Sequence, residues 1–175
     1  MNDDLMSRFK SGDAAAFDEI VKTYKTRLFR YLSRFLRDPD EAEDALQDLF
    51  LRLYTARGSY NPSGRLENFL YRIATNLAMD RLRKNRPVSG LDPERVASPD
   101  PAPHDQLDQK ELMAGLQAAV SSLPENQKLV FNLVVFEDKS YDEVTKITGF
   151  SLSSIKSLLF RARTSLKKSV GPQLS

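Results

Sequence analysis

The sequence has 175 residues, no cysteine, 41% hydrophobic residues and a formal charge of +2. That apolar content supports folded cores, and the lack of cysteine excludes disulfides and thiolate metal sites and fits a reducing cytoplasm. The N-terminal MNDDLMSRFKSGD lacks the basic start and apolar run of a signal peptide, and no stretch nears the roughly 20 apolar residues of a membrane span, so no membrane insertion is expected.

The small net charge hides an uneven distribution. Acids gather at Asp38–Asp48 and again at Asp92–Glu111, and none follows Glu143. The segment beyond Glu143 carries Lys146, Lys156, Arg161, Arg163, Lys167 and Lys168, and Arg81, Arg83, Lys84 and Arg86 close the first half. Two basic patches fit two contacts with a polyanion; they equally fit solvated helix ends, where cations favour the last turn.

In chain order, period-3.6 spacing predicts three amphipathic helices before residue 87. The first follows an Asp13 cap and places Phe17, Ile20, Val21, Tyr24, Leu28, Leu32 and Phe35 on one stripe. The second opens at Asp38-Pro39-Asp40-Glu41, with Asp38 as cap, Pro39 in the first helical position and Glu41 completing a capping-box-like start. Its inner face is Ala42, Ala45, Leu46, Leu49, Phe50 and Leu53. A turn-forming loop, ARGSYNPSG, leads to the third helix, with Leu66, Phe69, Leu70, Ile73, Leu77 and Leu82 inward and Arg72, Thr75, Asn76, Asp80 and Arg83 on the polar side.

From Pro87 to Asp108 run five of the nine prolines and little apolar periodicity, an acidic, semi-extended linker between two helical domains. Four shorter helices should follow, over 110–121, 125–136, 141–147 and 152–168. LVFNLVVF, Leu129 to Phe136, is rich in β-branched residues but reads as a buried helix. Thr148-Gly149-Phe150-Ser151 supplies a glycine stop and a serine cap, the layout of a helix-turn-helix. In the last helix Ile155, Leu159, Ala162 and Leu166 face the core, leaving Ser153, Lys156, Ser157, Phe160, Arg161 and Thr164 outward. Serines and cations there suit phosphates and base edges, and an exposed aromatic suits thymine methyls. Alternatively, Phe160 packs under the linker or a partner helix and the cations only solubilise. The fold class expected is all-α, two small helical domains joined by a flexible linker, the second a helix-turn-helix.

Three blocks carry a family resemblance. DEAEDALQDLFLRLY (Asp40 to Tyr54), FLYRIATNLAMDRLRKNR (Phe69 to Arg86) and LPENQKLVFNLVVFEDKSYDEVTKITGFSLSSIKSLLFRAR (Leu123 to Arg163) resemble regions 2.2, 2.4 and 4 of an extracytoplasmic-function sigma factor of the sigma-70 family. The resemblance implies a region 2-like domain over 1–86, a linker over 87–109 and a region 4-like domain over 110–175. It implies binding of core RNA polymerase through Asp40, Glu41, Asp44, Gln47 and Asp48, with Asp44, Gln47 and Asp48 central. Read without the resemblance, that acidic face is either a merely solvated helix face or one suited to a basic protein surface, and it would repel DNA. Recognition of the promoter -10 element would fall to Tyr60, Asn61, Ser63, Arg72, Asn76, Asp80, Arg83 and Lys84. The -35 element would fall to Ser153, Ser154, Lys156, Ser157, Phe160, Arg161 and Arg163. The plainer readings are helix packing for Asn76 and an i to i+4 ion pair with Lys84 for Asp80. Tryptophan is common in the family at Phe69, which keeps an aromatic anchor, and arginine is frequent at Leu158, whose loss shifts the burden to Lys156, Ser157, Phe160 and Arg161.

The implied partners are bacterial core RNA polymerase, promoter DNA and an anti-sigma factor that holds the two halves inactive; the free chain is expected to be a monomer with no cofactor. Catalysis is not expected: His104 is the one histidine and sits in the linker, there is no glycine-rich phosphate loop, and no Glu-x-x-His accompanies the acidic helix. Two other classes fit parts of the pattern. A stand-alone helix-turn-helix regulator would bind duplex DNA unaided, and a helical adaptor would leave the basic tail and Phe160 unexplained.

Overall fold

The computed structural model describes residues 2–60, 64–86 and 109–174. The proline-rich segment with His104, and Asn61 and Ser63, lie outside the described residues. The described residues hold helices and no strand: α1 Asn2–Lys10, α2 Ala14–Ser33, α3 Pro39–Ala56, α4 Leu66–Lys84, α5 Gln109–Ser121, α6 Glu125–Phe131 continuing into a π-helical turn Asn132–Phe136, α7 Tyr141–Thr148 and α8 Leu152–Leu174. Two compact units result, one built on α1 to α4 and the other on α5, α6 and α8. No helix among the described residues is long and apolar enough to cross a membrane.

In the first unit the caps form as the sequence predicts. The Asp13 side chain accepts from Ala15 N at 3.0 Å and starts α2. Asp38 accepts from Asp40 N at 2.9 Å, with Pro39 opening α3. Glu41 departs from expectation: it turns away from the cap, and its Oε1 accepts from Asn85 Nδ2 at 2.7 Å. The core takes Ile20, Tyr24, Leu28 and Leu32 from α2 and Ala42, Ala45, Leu46, Leu49 and Leu53 from α3. Phe50, expected in the core, is half-buried, its ring edge-on to Phe17 at 6.4 Å.

Helix α1 was not expected. Nine residues are too few to be helical alone, and Leu5, Met6 and Phe9 are a slight apolar signal. Burial of those three side chains against the unit supplies what propensity does not. Helix α4 differs in the width of its buried sector, since it packs against α1, α2 and α3. Tyr71, Ala74, Ala78 and Met79 are buried beside the expected Leu66, Leu70 and Leu77. Thr75, assigned above to the polar side, is 3% exposed and shares a 2.8 Å hydrogen bond with the buried Tyr31 hydroxyl.

In the second unit LVFNLVVF is helical, as expected, with Leu129, Val130, Phe131 and Leu133 buried. Its last turn widens to π geometry, which turns Val135 outward. On α8, Ile155, Leu159, Ala162 and Leu166 are buried, and Val170 extends the stripe, which is why the helix runs past Lys168 to Leu174. Gly149 sits at φ +77° in the turn before α8, a conformation that glycine adopts without Cβ strain. Ser151 Oγ accepts from Ser154 N at 3.2 Å and caps α8.

Candidate functional site

Three solvent-facing surfaces collect the residues singled out by sequence. On α3, Asp40, Asp44 and Gln47 are exposed and follow one another at helical spacing, while Glu41 and Asp48 are half-buried at the edge of that stripe. Asp48 is tied down: Arg81 Nη2 donates to its Oδ2 at 2.7 Å. With the Asn85–Glu41 bond, this fastens the start of α3 to the end of α4. The acidic stripe continues into apolar side chains missed by sequence reasoning, Leu51 at 63% exposure and Tyr54 at 45%. The signal was available, because 40, 44, 47, 51 and 54 keep the i, i+4, i+7 rhythm of one helix face.

On α4, Arg72, Asn76, Asp80, Arg83 and Lys84 are exposed along one line. Asp80 pairs with Arg83 at 3.6 Å, one position short of the Lys84 partner expected. Both side chains are at least half exposed, so the pair holds neither firmly. Tyr60 corrects the expectation of a surface contact: it is 7% exposed, its hydroxyl donates to Gly64 O at 3.1 Å, and its ring meets Phe69 edge-on at 5.1 Å. The aromatic anchor expected at Phe69 therefore has its partner inside the same unit.

On α8, Ser153, Ser154, Lys156, Ser157, Phe160, Arg161 and Arg163 are all exposed. Phe160 stands out at 72% exposure. The hydroxyls of Ser153 and Ser154 lie 3.2 and 2.9 Å from Ser151 Oγ, so hydroxyls crowd the start of the helix. A shallow groove lined by Asn126, Phe150, Ser154, Ser157, Leu158 and Arg161 runs beside it. Leu158, where an arginine was noted as frequent, forms part of that wall. A helix start rich in hydroxyls, followed by Lys156, Arg161 and Arg163, offers phosphates donors and positive charge, and Phe160 adds an apolar tip.

The sequence matches sigma-70 region 2 over residues 20–88 and sigma-70 region 4 over residues 114–166. It is 30% identical over 174 residues to the ECF RNA polymerase sigma factor SigW of Bacillus subtilis, covering 93% of each chain. It is 29% identical over 181 residues to the RNA polymerase sigma-H factor of Pseudomonas aeruginosa, covering 97% of this chain and 94% of the relative. Among solved structures, CnrH in complex with the cytosolic domain of CnrY superposes with a TM-score of 0.76 at 19% identity, covering 98% of this chain and 97% of that one. The sigma factor RpoE of Bartonella quintana, solved with the anti-sigma factor NepR, gives 0.69 at 24% identity, covering 89% and 96%. At such identities the two structures speak to the fold alone, whereas the sequence relatives and the two matched regions speak to descent. The chain belongs to the extracytoplasmic-function sigma factors of the sigma-70 family.

Proposed function

We propose that this sigma factor directs core RNA polymerase to its promoters through three separate faces, with α3 docking on the polymerase, α4 reading the -10 element and α8 reading the -35 element. The observation that carries the reading is the chemistry of those faces. The α3 stripe is acidic and then apolar, suited to a basic protein surface with an apolar neighbour and unsuited to DNA. The α4 line alternates cations with an amide and a carboxylate, the groups that hold phosphates and base edges. The α8 face presents serines, cations and Phe160. Residues 1–86 are then the polymerase and -10 domain, 87–109 the linker and 110–175 the -35 domain.

The chain carries no reaction of its own in this reading; RNA synthesis belongs to the polymerase it joins, in the cytoplasm. Control by an anti-sigma factor is proposed by analogy with the fold relative solved with one. The test is core-dependent promoter selection. The chain is titrated with purified bacterial core polymerase, and the assembled complex is then offered random-sequence duplex DNA. Tight core binding that is lost when Asp44 and Gln47 are replaced by lysine, with promoters selected by the complex alone, supports the proposal. Binding of duplex DNA by the free chain with indifference to core polymerase rejects it in favour of a stand-alone regulator.

A further inference from the structure

Helix α1 lies ahead of residue 20, where the match to sigma-70 region 2 begins, yet it is bonded to the junction between α3 and α4. The junction is Tyr60, where the chain leaves α3 and prepares to enter α4. Its N–H donates to Ala56 O at 3.0 Å, closing the end of α3. Its carbonyl accepts from Lys10 Nζ at 3.0 Å, a contact across fifty residues of sequence. Its hydroxyl donates to Gly64 O, two residues before α4, and its ring packs on Phe69 in the first turn of α4. Phe69 stands one turn before Arg72 and two turns before Asn76. A second clasp joins α1 to the end of α3: the Arg57 guanidinium lies 4.8 Å from the Tyr54 ring centre and 5.8 Å from that of Phe9.

From this chain of contacts we infer that Lys10 and Tyr60 are positioning residues for -10 recognition, fixing the N-terminal end of α4 so that Arg72 and Asn76 meet the DNA in one register without Lys10 or Tyr60 touching it. This rests on the proposed reading of α4 as the -10 reader. The physical basis is preorganisation. Base discrimination needs donors and acceptors held to a fraction of an ångström before the strand arrives, and a helix end pinned at one point tilts about it. Lys10 supplies the second point. Its ammonium is a charged donor to a neutral carbonyl, so methionine at 10 removes the bond at nearly constant length, while arginine retains a donor.

The test uses the full chain assembled with core polymerase and a pool of fork-junction DNAs randomised at the -10 positions. Bound sequences are counted for the wild type, Lys10→Met, Lys10→Arg, Tyr60→Phe and Asn76→Ala. Lys10→Met should keep its core affinity and thermal midpoint but lose about tenfold in discrimination between the favoured and disfavoured -10 bases, the scale of a small misplacement of a recognition group. Lys10→Arg should restore most of it, and Tyr60→Phe, which removes the bond to Gly64, should show a smaller loss of the same kind. Two outcomes overturn the inference. Either Lys10→Met retains full discrimination while Asn76→Ala loses it, or Lys10→Met loses core affinity and discrimination in equal measure, which marks a purely structural residue. Should Asn76→Ala also retain discrimination, the assignment of α4 has failed and the inference falls with it.

Discussion

Asp48 holds two assignments that pull apart, and the consequence can be measured. The family resemblance implies a role for it as a central polymerase contact, and the structure pairs it with Arg81 at 2.7 Å, with the two side chains 50% and 23% exposed. A pair so open to water should contribute about 0.5–1 kcal/mol to stability, because screening and side-chain ordering offset most of the Coulomb gain. A double-mutant cycle of Asp48→Asn and Arg81→Met, read by urea unfolding, should return a coupling energy of that size. Core binding should separate the two residues. If polymerase cations take Asp48 from Arg81, Asp48→Asn should weaken core affinity by about tenfold, the value of one charge-assisted contact. Arg81→Met, which frees Asp48, should leave affinity equal or a few-fold tighter. Anisotropy of the labelled chain titrated with core polymerase measures both. The reasoning is refuted if Arg81→Met weakens core binding as much as Asp48→Asn does, since the feature recognised would then be the α3–α4 geometry that the pair maintains.

Other expectations follow from the same contacts. The hydrogen bonds that Arg8 donates to Asp13 hold its carboxyl below the usual carboxylate range. A pKa depressed on folding stabilises the chain above the unfolded value and loses that effect as pH falls through the folded one. The advantage of wild type over Asp13→Asn, which keeps the cap without the charge, should therefore be present at neutral pH, begin to fade below about pH 4 and vanish as pH falls through the lower folded value in urea-midpoint titrations. Phe160→Ala should change stability by less than about 0.5 kcal/mol, because the ring is mostly in water, yet weaken holoenzyme binding to the -35 duplex by about tenfold in a filter or anisotropy assay. Thr75→Val removes the buried 2.8 Å bond between Thr75 and the Tyr31 hydroxyl and should cost about 1–2 kcal/mol in denaturant unfolding, without altering -10 base preference. Gly149→Ala has open space around the added Cβ but must hold φ +77°, so its cost of about 1–2 kcal/mol is conformational and should appear in the unfolding midpoint.

The sequence made the elements legible where one face dries and the other stays wet. The α8 stripe from Ile155 to Leu166 and the α3 stripe from Ala42 to Leu53 each have a single buried side, and the period-3.6 pattern alone identifies it. The pattern failed where burial is broad or where packing replaces propensity. Helix α4 is covered from several directions, so Thr75 lies inside despite its hydroxyl, a fact that depends on Tyr31 forty-four residues away. Tyr60 sat in a stretch of turn formers and looked like surface, but its ring and hydroxyl were claimed by Phe69 and Gly64. Helix α1 is too short to announce itself and exists because Phe9 has Phe17 and Tyr54 to lie against. The α8 surface was the most readable of the three because Phe160 and the serines stay exposed in their own unit. The α3 surface was read only in its charged half, since Leu51 and Tyr54 resemble core residues until the core is seen to be full.

The π turn at Asn132–Phe136 makes this part of the chain sensitive to length more than to residue type. Each residue advances an α-helix by about 100°, and the widened turn that ends α6 absorbs one residue more than an α-turn holds. Exchange of one apolar side chain for another there changes volume only. Removal of a single residue should restore regular α spacing and re-aim the exit of α6, where Glu137 and Lys139 are buried and Val135 is exposed. A deletion scan across these five positions should therefore be far more damaging than a substitution scan, and among relatives of this chain a gap of one in this stretch marks a differently aimed helix exit.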